Sequence, residues 1–337
     1  RMIGKKAVTA FVKRHREACS LIRPSFFEWT VAMAFDYFRE ENVEIAVVET
    51  GMGGRLDSTN IITPLLSVIT QVSFDHMQFL GDTLEKIAQE KAGIIKPGIP
   101  AVVGETQAET REVFETMARS KGSELVFADR IFSIGSFRPG TRPGSPVKAE
   151  ILFMGRPWLE EVSVPLTGQY QRKNLVTLAA TCMKLREAGL DIGPGAVCDG
   201  IRHTVRNTGL AGRWQVIGRN PLTICDTAHN EGGLREILPQ ILQTPHKRLH
   251  IVFGVVSDKH LEPILAMLPR HAAYYFCRPA IPRGLDAPEL QEQASRAGLH
   301  GTAYHSVAEA LAIARRDAGK EDLVFVGGST FVVAEVV

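Results

Sequence analysis

Residues 47–60 read Val-Val-Glu-Thr-Gly-Met-Gly-Gly-Arg-Leu-Asp-Ser-Thr-Asn, and this stretch is the most informative part of the chain. An apolar run ends at Glu49, and a glycine-rich turn that carries Arg55 and Asp57 follows at once. Ligands of open α/β sheets lie just outside the carboxyl ends of the strands. A carboxylate in that place, beside glycines that let a ligand approach the backbone, marks a candidate site. For this segment alone, an ordinary solvated strand end is the alternative.

Helical and strand patterns alternate over most of the length, which predicts an α/β fold with parallel sheets. The first block is expected to hold strands at 43–49, 65–70, 99–104 and 124–128, and helices at 5–20, 26–41, 83–95 and 107–121. A small antiparallel sheet is expected from strands at 130–134, 148–153 and 161–166, followed by helices at 171–188 and 194–203. A second, doubly wound block is expected from strands at 223–225, 249–253, 273–276 and 323–326, and helices at 231–243, 259–268, 287–297 and 306–317. The expected boundary divides the chain into domains 1–208 and 209–337.

The composition is that of an ordinary globular protein with enough chain for two domains. The 337 residues are 45% apolar and 23% charged, and the net charge is +2. Mixed charge of this kind indicates neither a nucleic-acid surface nor a membrane anchor. The five cysteines are scattered without Cys-x-x-Cys spacing, so a reducing cytoplasm is expected rather than a zinc site or a disulfide framework.

Three polar groups of the first block are candidates for one site. Glu49 ends one predicted strand, His76 follows the next, and Lys91 lies on the helix after that. A carboxylate and a neutral imidazole both bind divalent ions, and Mg²⁺ on a nucleotide takes only one or two protein carboxylates. Taken singly, His76 is more often a capping or loop residue, and Lys91 is more often on a solvated helix face.

A second group of candidates surrounds the start of the second block. Arg213 can neutralise phosphate, and Asp226, at the end of a predicted strand, can accept hydrogen bonds from ribose hydroxyls. Asn174, on the first turn of a predicted helix, can contact a base edge through its amide. The alternative for Asp226 and for the nearby Asn230 is helix capping, which is common for Asp and Asn.

Together and in this order, the motifs resemble those of folylpolyglutamate synthase and the bifunctional dihydrofolate synthase/folylpolyglutamate synthase, members of the Mur ligase superfamily. The resemblance runs nearly end to end. It rests on residues 25–28, 49–60, 75–76, 90–96, 168–174, 212–214, 226–230, 258–259 and 328–329.

The resemblance implies a ligase that forms carbon–nitrogen bonds in folate biosynthesis. ATP phosphorylates the carboxylate of dihydropteroate or of a folate to an acyl phosphate, and the amine of L-glutamate then displaces phosphate. The implied fold is an N-terminal ATPase domain of the phosphate-loop type, followed by a Rossmann-like glutamate-ligase domain. The expected partners are these small molecules, and the protein is expected to act as a cytoplasmic monomer.

The resemblance also implies roles for particular residues. Glu49 and His76 match Mg²⁺ ligands at two expected metal sites, and Lys91 matches a lysine that is carbamylated by CO₂ and placed with them in the catalytic centre. ATP contacts are implied for Asn174, Arg213, Asp226 and His229. Substrate contacts are implied for Ser25, Phe26, Phe27, Glu28, Leu56 and Ser329.

One departure from the family pattern carries an expectation of its own. Family members begin with a strand, a Gly-Thr-Asn-Gly-Lys-Gly-Ser phosphate loop and a Mg²⁺-binding serine, none of which is in these 337 residues. The chain is therefore expected to start partway through the first domain and, as written, not to turn over ATP. A peptidoglycan amino-acid ligase of the Mur type and a non-catalytic folate- or nucleotide-binding protein stay open as alternatives.

Overall fold

The computed structural model describes residues 2–257 and 261–337, except the side chain of Gln78. Contacts between residues divide the chain into two compact units. The first comprises residues up to 72, 76–101 and 107–125, and the second comprises 73–75, 102–106 and 126–337. The domain boundary predicted near residue 208 lies within the second unit and stays a prediction.

The first part of the chain alternates helices with three short strands. The elements are α1 (Lys5–Ile22), α2 (Phe26–Glu40), a 3₁₀ helix (Ser58–Ile61), β1 (Ser67–Ile69), α3 (Met77–Leu80), α4 (Leu84–Ala92), β2 (Ala101–Val103), α5 (Ala108–Lys121) and β3 (Leu125–Phe127). The strands form a sheet in the order β1-β2-β3. Ala101 to Val103 are fully buried, which matches the apolar run that predicted this strand.

The strand predicted at 43–49 is wrong. Residues 45–50 have no regular secondary structure, and Ile45 and Val47 are 65% and 95% exposed. A strand needs a neighbour that takes up its N–H and C=O groups, and an isolated extended segment is not stable in water. Within the described residues, no strand pairs with this segment, so its apolar pattern alone does not make it a strand.

The second unit begins with an antiparallel sheet and its covering helices. The elements are α6 (Ala128–Ile131), β4 (Phe132–Arg138), β5 (Val147–Phe153), β6 (Arg156–Val164), α7 (Gln171–Glu187), α8 (Pro194–Arg202) and α9 (Thr204–Thr208). The strand order is β4-β5-β6, with antiparallel pairing throughout. Val147, Ala149 and Ile151 of β5 are buried in alternation, as expected for a sheet with one covered face. The antiparallel sheet predicted from the sequence is confirmed, although β6 begins earlier than expected.

The rest of the second unit is a six-stranded, mostly parallel sheet. The elements are β7 (Gln215–Arg219), β8 (Leu222–Cys225), α10 (Glu231–Gln243), β9 (Leu249–Phe253), α11 (Leu261–Met267), β10 (Ala273–Cys277), α12 (Ala287–Arg296), β11 (Gly301–Tyr304), α13 (Val307–Asp317), β12 (Leu323–Gly327) and α14 (Thr330–Ala334). The order is β11-β10-β9-β12-β8-β7, and only β7 runs antiparallel to its neighbour. The two edge strands, β7 and β11, were not predicted as strands.

Apolar side chains cover both faces of this sheet. One cluster includes Leu234 and Ile237 of α10, Ile264 of α11 and Leu290 of α12. The other includes residues of α13 and α14 together with Val252 from the sheet. Because both faces are buried, the central strands read as continuous apolar runs rather than as alternating ones. The predicted doubly wound α/β architecture is confirmed for this block.

Within the described residues, no helix combines the length and the apolar character that crossing a membrane requires.

The buried face of α10 provides a test of the core. Ile237 is 1% exposed, whereas Leu242 on the same helix is 50% exposed. We expect Ile237→Ala to lower the free energy of unfolding by about 2–5 kcal/mol, because it leaves a cavity, and Leu242→Ala to change it by less than about 0.5 kcal/mol. Denaturant unfolding followed by circular dichroism measures both. Equal losses in the two variants would contradict this packing of α10.

Candidate active site

The glycine-rich turn of residues 51–57 is closed by a single carboxylate. Asp57 Oδ2 accepts hydrogen bonds from Gly51 N and Met52 N at 2.8 and 2.9 Å, and Oδ1 accepts from Thr59 N and Oγ1 at 2.9 and 2.6 Å. Partial burial raises the pKa of Asp57, but these hydrogen bonds outweigh it and hold the pKa below its ordinary value. Asp57 therefore organises the turn.

The turn lies directly against the carboxyl end of α4. Arg55 N donates to Glu90 O at 2.8 Å, and the Arg55 guanidinium donates to Glu90 Oε1 at 2.9 and 3.0 Å. A Cβ on Gly54 would lie 2.9 Å from Glu90 O and 3.1 Å from Lys91 O, and a Cβ on Gly93 would lie 2.4 Å from Arg55 Cα. Only glycine permits this approach, which seats the turn on the helix that carries Lys91.

The three candidates for a metal centre lie in the first unit. Glu49 is exposed in the irregular segment before the turn. His76 is exposed at the N-cap position of α3, with a left-handed backbone (φ 49°, ψ 38°) and no side-chain capping hydrogen bond. Lys91 is half-buried on the last turn of α4. Among residues 2–257 and 261–337, no group of three or more His, Cys, Asp or Glu side chains is arranged to hold a metal ion.

The donor chemistry of this set nevertheless fits one kind of ion. Mg²⁺ that arrives with nucleotide phosphates keeps several waters and takes only one or two protein side chains, so it needs no cage of three. Glu49 offers a carboxylate and His76 an imidazole, and both are donor types that bind divalent ions. An unmodified ammonium group on Lys91 supplies no lone pair for a metal.

The five residues of the first unit that are predicted to contact substrate are of two kinds. Ser25 and Glu28 form a capping box at the start of α2, in which Ser25 N donates to Glu28 Oε2 at 2.6 Å and Glu28 N donates to Ser25 Oγ at 3.2 Å. The backbone hydrogen bond from Ser25 is the main cause that lowers the pKa of Glu28. The other three are exposed apolar side chains, Phe26, Phe27 and Leu56.

In the second unit, Asp226 is the most heavily engaged of the predicted residues. It follows β8 and is 2% exposed. Its Oδ2 accepts from Tyr170 Oη at 2.8 Å and from Trp214 N at 2.7 Å, and its Oδ1 accepts from Ala228 N at 2.9 Å. Burial raises the pKa of Asp226, and these hydrogen bonds and the charge of Arg213 offset only part of the rise. A carboxylate offers about four lone pairs, so one place is left for a further donor.

The other predicted nucleotide contacts are exposed. Arg213 is exposed and follows Gly212, where a Cβ would lie 2.7 Å from a methyl of Val333. Asn174 is exposed on the first turn of α7, and its amide donates to Gln171 Oε1 at 2.9 Å. The structure thus brings Arg213 close to Asp226 and leaves the Asn174 side chain accessible to solvent.

The turn between β8 and α10 carries two further polar residues. Asn230 Oδ1 accepts from Gly233 N at 2.8 Å, so the predicted helix cap is confirmed. The same side chain donates through Nδ2 to Asp75 Oδ2 at 2.8 Å. The His229 ring has Nδ1 3.0 Å from Thr227 O and Nε2 3.5 Å from Asp75 Oδ2.

Two residues of this region, Asp75 and Tyr170, were not among the predicted site residues. Their only signal in the sequence is position, since Asp75 directly precedes His76 and Tyr170 lies within the 168–174 motif. Their contacts join segments that are 155 and 56 residues apart, which no local pattern reveals.

Ser329 is buried at the start of α14. Its Oγ accepts from Phe331 N at 3.1 Å, so the hydroxyl caps the helix. The preceding Gly328 has φ 94°, and a Cβ there would lie 2.6 Å from the Phe253 ring. The substrate contact predicted for Ser329 stays a prediction. Asp258 and Lys259, which contribute to the sequence resemblance, lie outside the described residues.

Two family models match the chain. The Mur ligase middle domain matches residues 25–183, and the Mur ligase glutamate ligase domain matches residues 212–330.

Two related sequences match over nearly the whole chain. A dihydrofolate synthase/folylpolyglutamate synthase of Escherichia coli is 31% identical over 344 residues, which covers 99% of this chain and 74% of that protein. A probable bifunctional folylpolyglutamate synthase/dihydropteroate synthase of Halobacterium salinarum is 30% identical over 99% of this chain. The chain spans only 40% of the length of that archaeal relative.

Solved structures share the fold. E. coli FolC in complex with DHPP and ADP has a TM-score of 0.84 at 30% identity, over 100% of this chain and 76% of that chain. The bifunctional folylpolyglutamate synthase/dihydrofolate synthase of Yersinia pestis, complexed with AMPPNP and a Mn ion, has a TM-score of 0.81 at 27% identity, over 99% and 75% of the two chains.

The hydrogen bond from Tyr170 to Asp226 provides a test of this geometry. We expect Tyr170→Phe to lower the free energy of unfolding at pH 7 by about 1.5–3 kcal/mol, because a buried carboxylate loses a donor. Since the pKa of Asp226 is raised in the folded state, its contribution to stability is greatest below the ordinary aspartate pKa and declines as pH rises through the folded value. Without the Tyr170 hydroxyl the folded-state pKa of Asp226 rises further, so the protein loses more stability as the pH rises.

The effect of Tyr170→Phe should therefore shrink near pH 3, below the ordinary aspartate pKa of about 3.9, because the raised pKa of Asp226 keeps its carboxyl protonated there. Denaturant unfolding at both pH values measures it, with Tyr304→Phe on β11 as the control that removes another tyrosine hydroxyl. An effect of the same size at both pH values would contradict a charge-assisted bond.

Proposed function

The chain belongs to the folylpolyglutamate synthase/dihydrofolate synthase family, whose members carry Mur ligase domains, and on this premise we propose that it is an ATP-dependent ligase. In this proposal it joins L-glutamate to the carboxylate of dihydropteroate, of a folate, or of both. The observation that carries the proposal is the match over the whole chain to a structure that binds DHPP and ADP.

The reaction proceeds in two steps that conserve charge and atoms. The substrate carboxylate oxygen attacks the γ-phosphorus of ATP, which forms an acyl phosphate and releases ADP. The amine of glutamate then attacks the acyl carbon, the amine loses a proton, and inorganic phosphate leaves from a tetrahedral intermediate. The protein's task is to position three substrates and to neutralise phosphate charge as it moves.

Residues of the second unit suit the nucleotide. The exposed guanidinium of Arg213 is free to meet a phosphate, since such contacts are strong and charge-assisted. Asn174, exposed on the first turn of α7, offers an amide to the base. Asp226 has one lone pair left for a ribose hydroxyl, and the oriented ring of His229 lies three residues further on.

Residues of the first unit suit the metal ion. Glu49 and His76 would hold Mg²⁺, which would polarise the phosphate oxygens when bound. We further propose that Lys91 is carbamylated, because a carbamate turns a cation into an anion with oxygen lone pairs. The Y. pestis protein is complexed with AMPPNP and a Mn ion, which supports the proposal of a divalent ion that binds together with the nucleotide. The exposed apolar side chains of Phe26, Phe27 and Leu56 offer apolar surface to a pterin, which supports this part of the proposal.

The proposal also places the protein in a reducing compartment, as a monomer that acts on small molecules. All five cysteines lie within the described residues and none forms a disulfide. Free thiols of this kind support a cytoplasmic protein.

The proposed activity has a direct assay. We expect glutamate-dependent release of ADP from MgATP by the protein expressed from its native reading frame, with either dihydropteroate or tetrahydrofolate as acceptor. Release with dihydropteroate assigns dihydrofolate synthase activity, and release with tetrahydrofolate assigns folylpolyglutamate synthase activity. Release only with a peptidoglycan precursor would favour a Mur-type ligase, and nucleotide binding without any release would favour a binding protein.

The role of Lys91 has a matched control on the same helix. We expect Lys91→Ala to lower the rate of ADP release by at least about tenfold, without rescue by bicarbonate, because no amine remains to form the carbamate. Lys86→Ala removes an exposed lysine of α4 that pairs with Asp82, and should leave the rate unchanged. Protein equilibrated with ¹³C-bicarbonate should show a carbamate signal that Lys91→Ala abolishes. Its persistence in Lys91→Ala would remove Lys91 from the mechanism.

A further inference from the structure

We propose that Asp75 is a positioning residue of the ligase reaction, acting through His229 and Asn230 at the start of α10. The inference rests on the proposed function. It concerns the second unit alone, because residues 73–75 belong to that unit together with α10.

The segment that carries Asp75 is seated tightly on the first turn of α10. A Cβ on Gly232 would lie 2.8 Å from Ser73 Cβ and 3.0 Å from Ser73 Oγ, closer than real side chains approach. Glycine at position 232 therefore allows residues 73–75 to pack this closely against the helix. The approach brings the Asp75 carboxylate within reach of the two side chains that precede the helix.

The Asp75 carboxylate determines which way the Asn230 amide points. Asn230 uses Oδ1 to cap α10 through Gly233 N and uses Nδ2 to donate to Asp75 Oδ2, both at 2.8 Å. An amide rotated by half a turn would place a donor against the Gly233 N–H and an acceptor against the carboxylate. Asp75 thereby stabilises the one orientation in which Asn230 caps the helix.

The same carboxylate oxygen orients the His229 ring. His229 Nδ1 faces the Thr227 carbonyl oxygen at 3.0 Å, and Nε2 faces Asp75 Oδ2 at 3.5 Å. Both neighbours only accept hydrogen bonds, so a ring that carries hydrogen on both nitrogens would donate to both and be held in this plane. The ring is more than one-third exposed and is able to touch a ligand.

This arrangement matters because the residues from Asp226 to Asn230 form one turn at the carboxyl end of a parallel strand. That edge is where open α/β sheets bind ligands. The turn is held at its start by the hydrogen bonds to Asp226 and at its end by Asp75. A shift of the His229 ring would misplace a group proposed to contact ATP.

The first experiment is a double-mutant cycle on ADP release, with kcat/KM as the readout. We expect Asp75→Asn, which removes the charge but keeps an acceptor for Asn230, to lower kcat/KM by roughly tenfold or more. In a His229→Ala background the same substitution should cost less than about twofold, because the His229 ring is gone and Asp75→Asn keeps an acceptor for Asn230. Independent, multiplicative effects of the two substitutions would overturn the proposal.

A matched control separates positioning from general stability. Asp129 also accepts hydrogen bonds from a backbone N–H and a hydroxyl, those of Thr106 at 2.9 and 2.7 Å, in the same unit. We expect Asp129→Asn to change the thermal unfolding midpoint without changing kcat/KM. If Asp75→Asn lowers kcat/KM only in proportion to a fall in folded protein, Asp75 has a merely structural role and the proposal fails.

A second measurement needs no reaction. In protein labelled with ¹⁵N-histidine, the ring signals of His229, identified by their loss in His229→Ala, should shift in Asp75→Asn and stay unchanged in Asp129→Asn. Absence of ADP release by the wild type, together with this shift, would refute the ligase function and leave the positioning of His229 intact. Unshifted ring signals in Asp75→Asn would refute the positioning itself.

Discussion

One buried carboxylate organises the larger unit of this protein. Asp226 lies at the end of β8, and its two oxygens receive hydrogen bonds from α7 through Tyr170, from the segment before β7 through Trp214, and from the turn before α10 through Ala228. A buried charge without donors costs several kcal/mol, so the fold depends on these three hydrogen bonds at Asp226. The predicted nucleotide site is therefore built around Asp226, a residue whose hydrogen bonds also stabilise the fold.

A second carboxylate, that of Asp57, also organises a turn by accepting hydrogen bonds, but in a partly exposed place. Asp57 closes the glycine-rich turn with four hydrogen bonds while remaining partly exposed, and its pKa is lowered. Asp226 has fewer donors and almost no solvent, and its pKa is raised. In the turn, the hydrogen bonds lower the pKa of Asp57 by more than burial raises it. At the end of β8, burial raises the pKa of Asp226 by more than its hydrogen bonds lower it.

Glycines complete both arrangements by permitting contacts that a side chain would forbid. Gly54 and Gly93 let the turn lie on the carboxyl end of α4, and Gly232 lets the segment with Asp75 lie on α10. Because the chain belongs to the folylpolyglutamate synthase/dihydrofolate synthase family, the two turns are candidate parts of a ligase active site. The glycine-rich turn carries Leu56, which is proposed to contact a pterin, and the turn before α10 carries His229, which is proposed to contact ATP.

The sequence alone determined the alternation of helices and strands, the doubly wound second block, the cap at Asn230 and the family, because each depends on local periodicity or on motifs in order. The strand that the apolar pattern predicted at 43–49 does not form, because a strand is stable only when a neighbouring strand pairs with it. The Ser-x-x-Glu pattern of Ser25 and Glu28 is a capping-box signature that the sequence does contain, although these residues were predicted only as substrate contacts. The sequence could not show that Ser329 is a buried cap. Only the tertiary structure placed Tyr170 on Asp226 and Asp75 on Asn230, because those contacts depend on which distant segments the packed sheets and helices bring together.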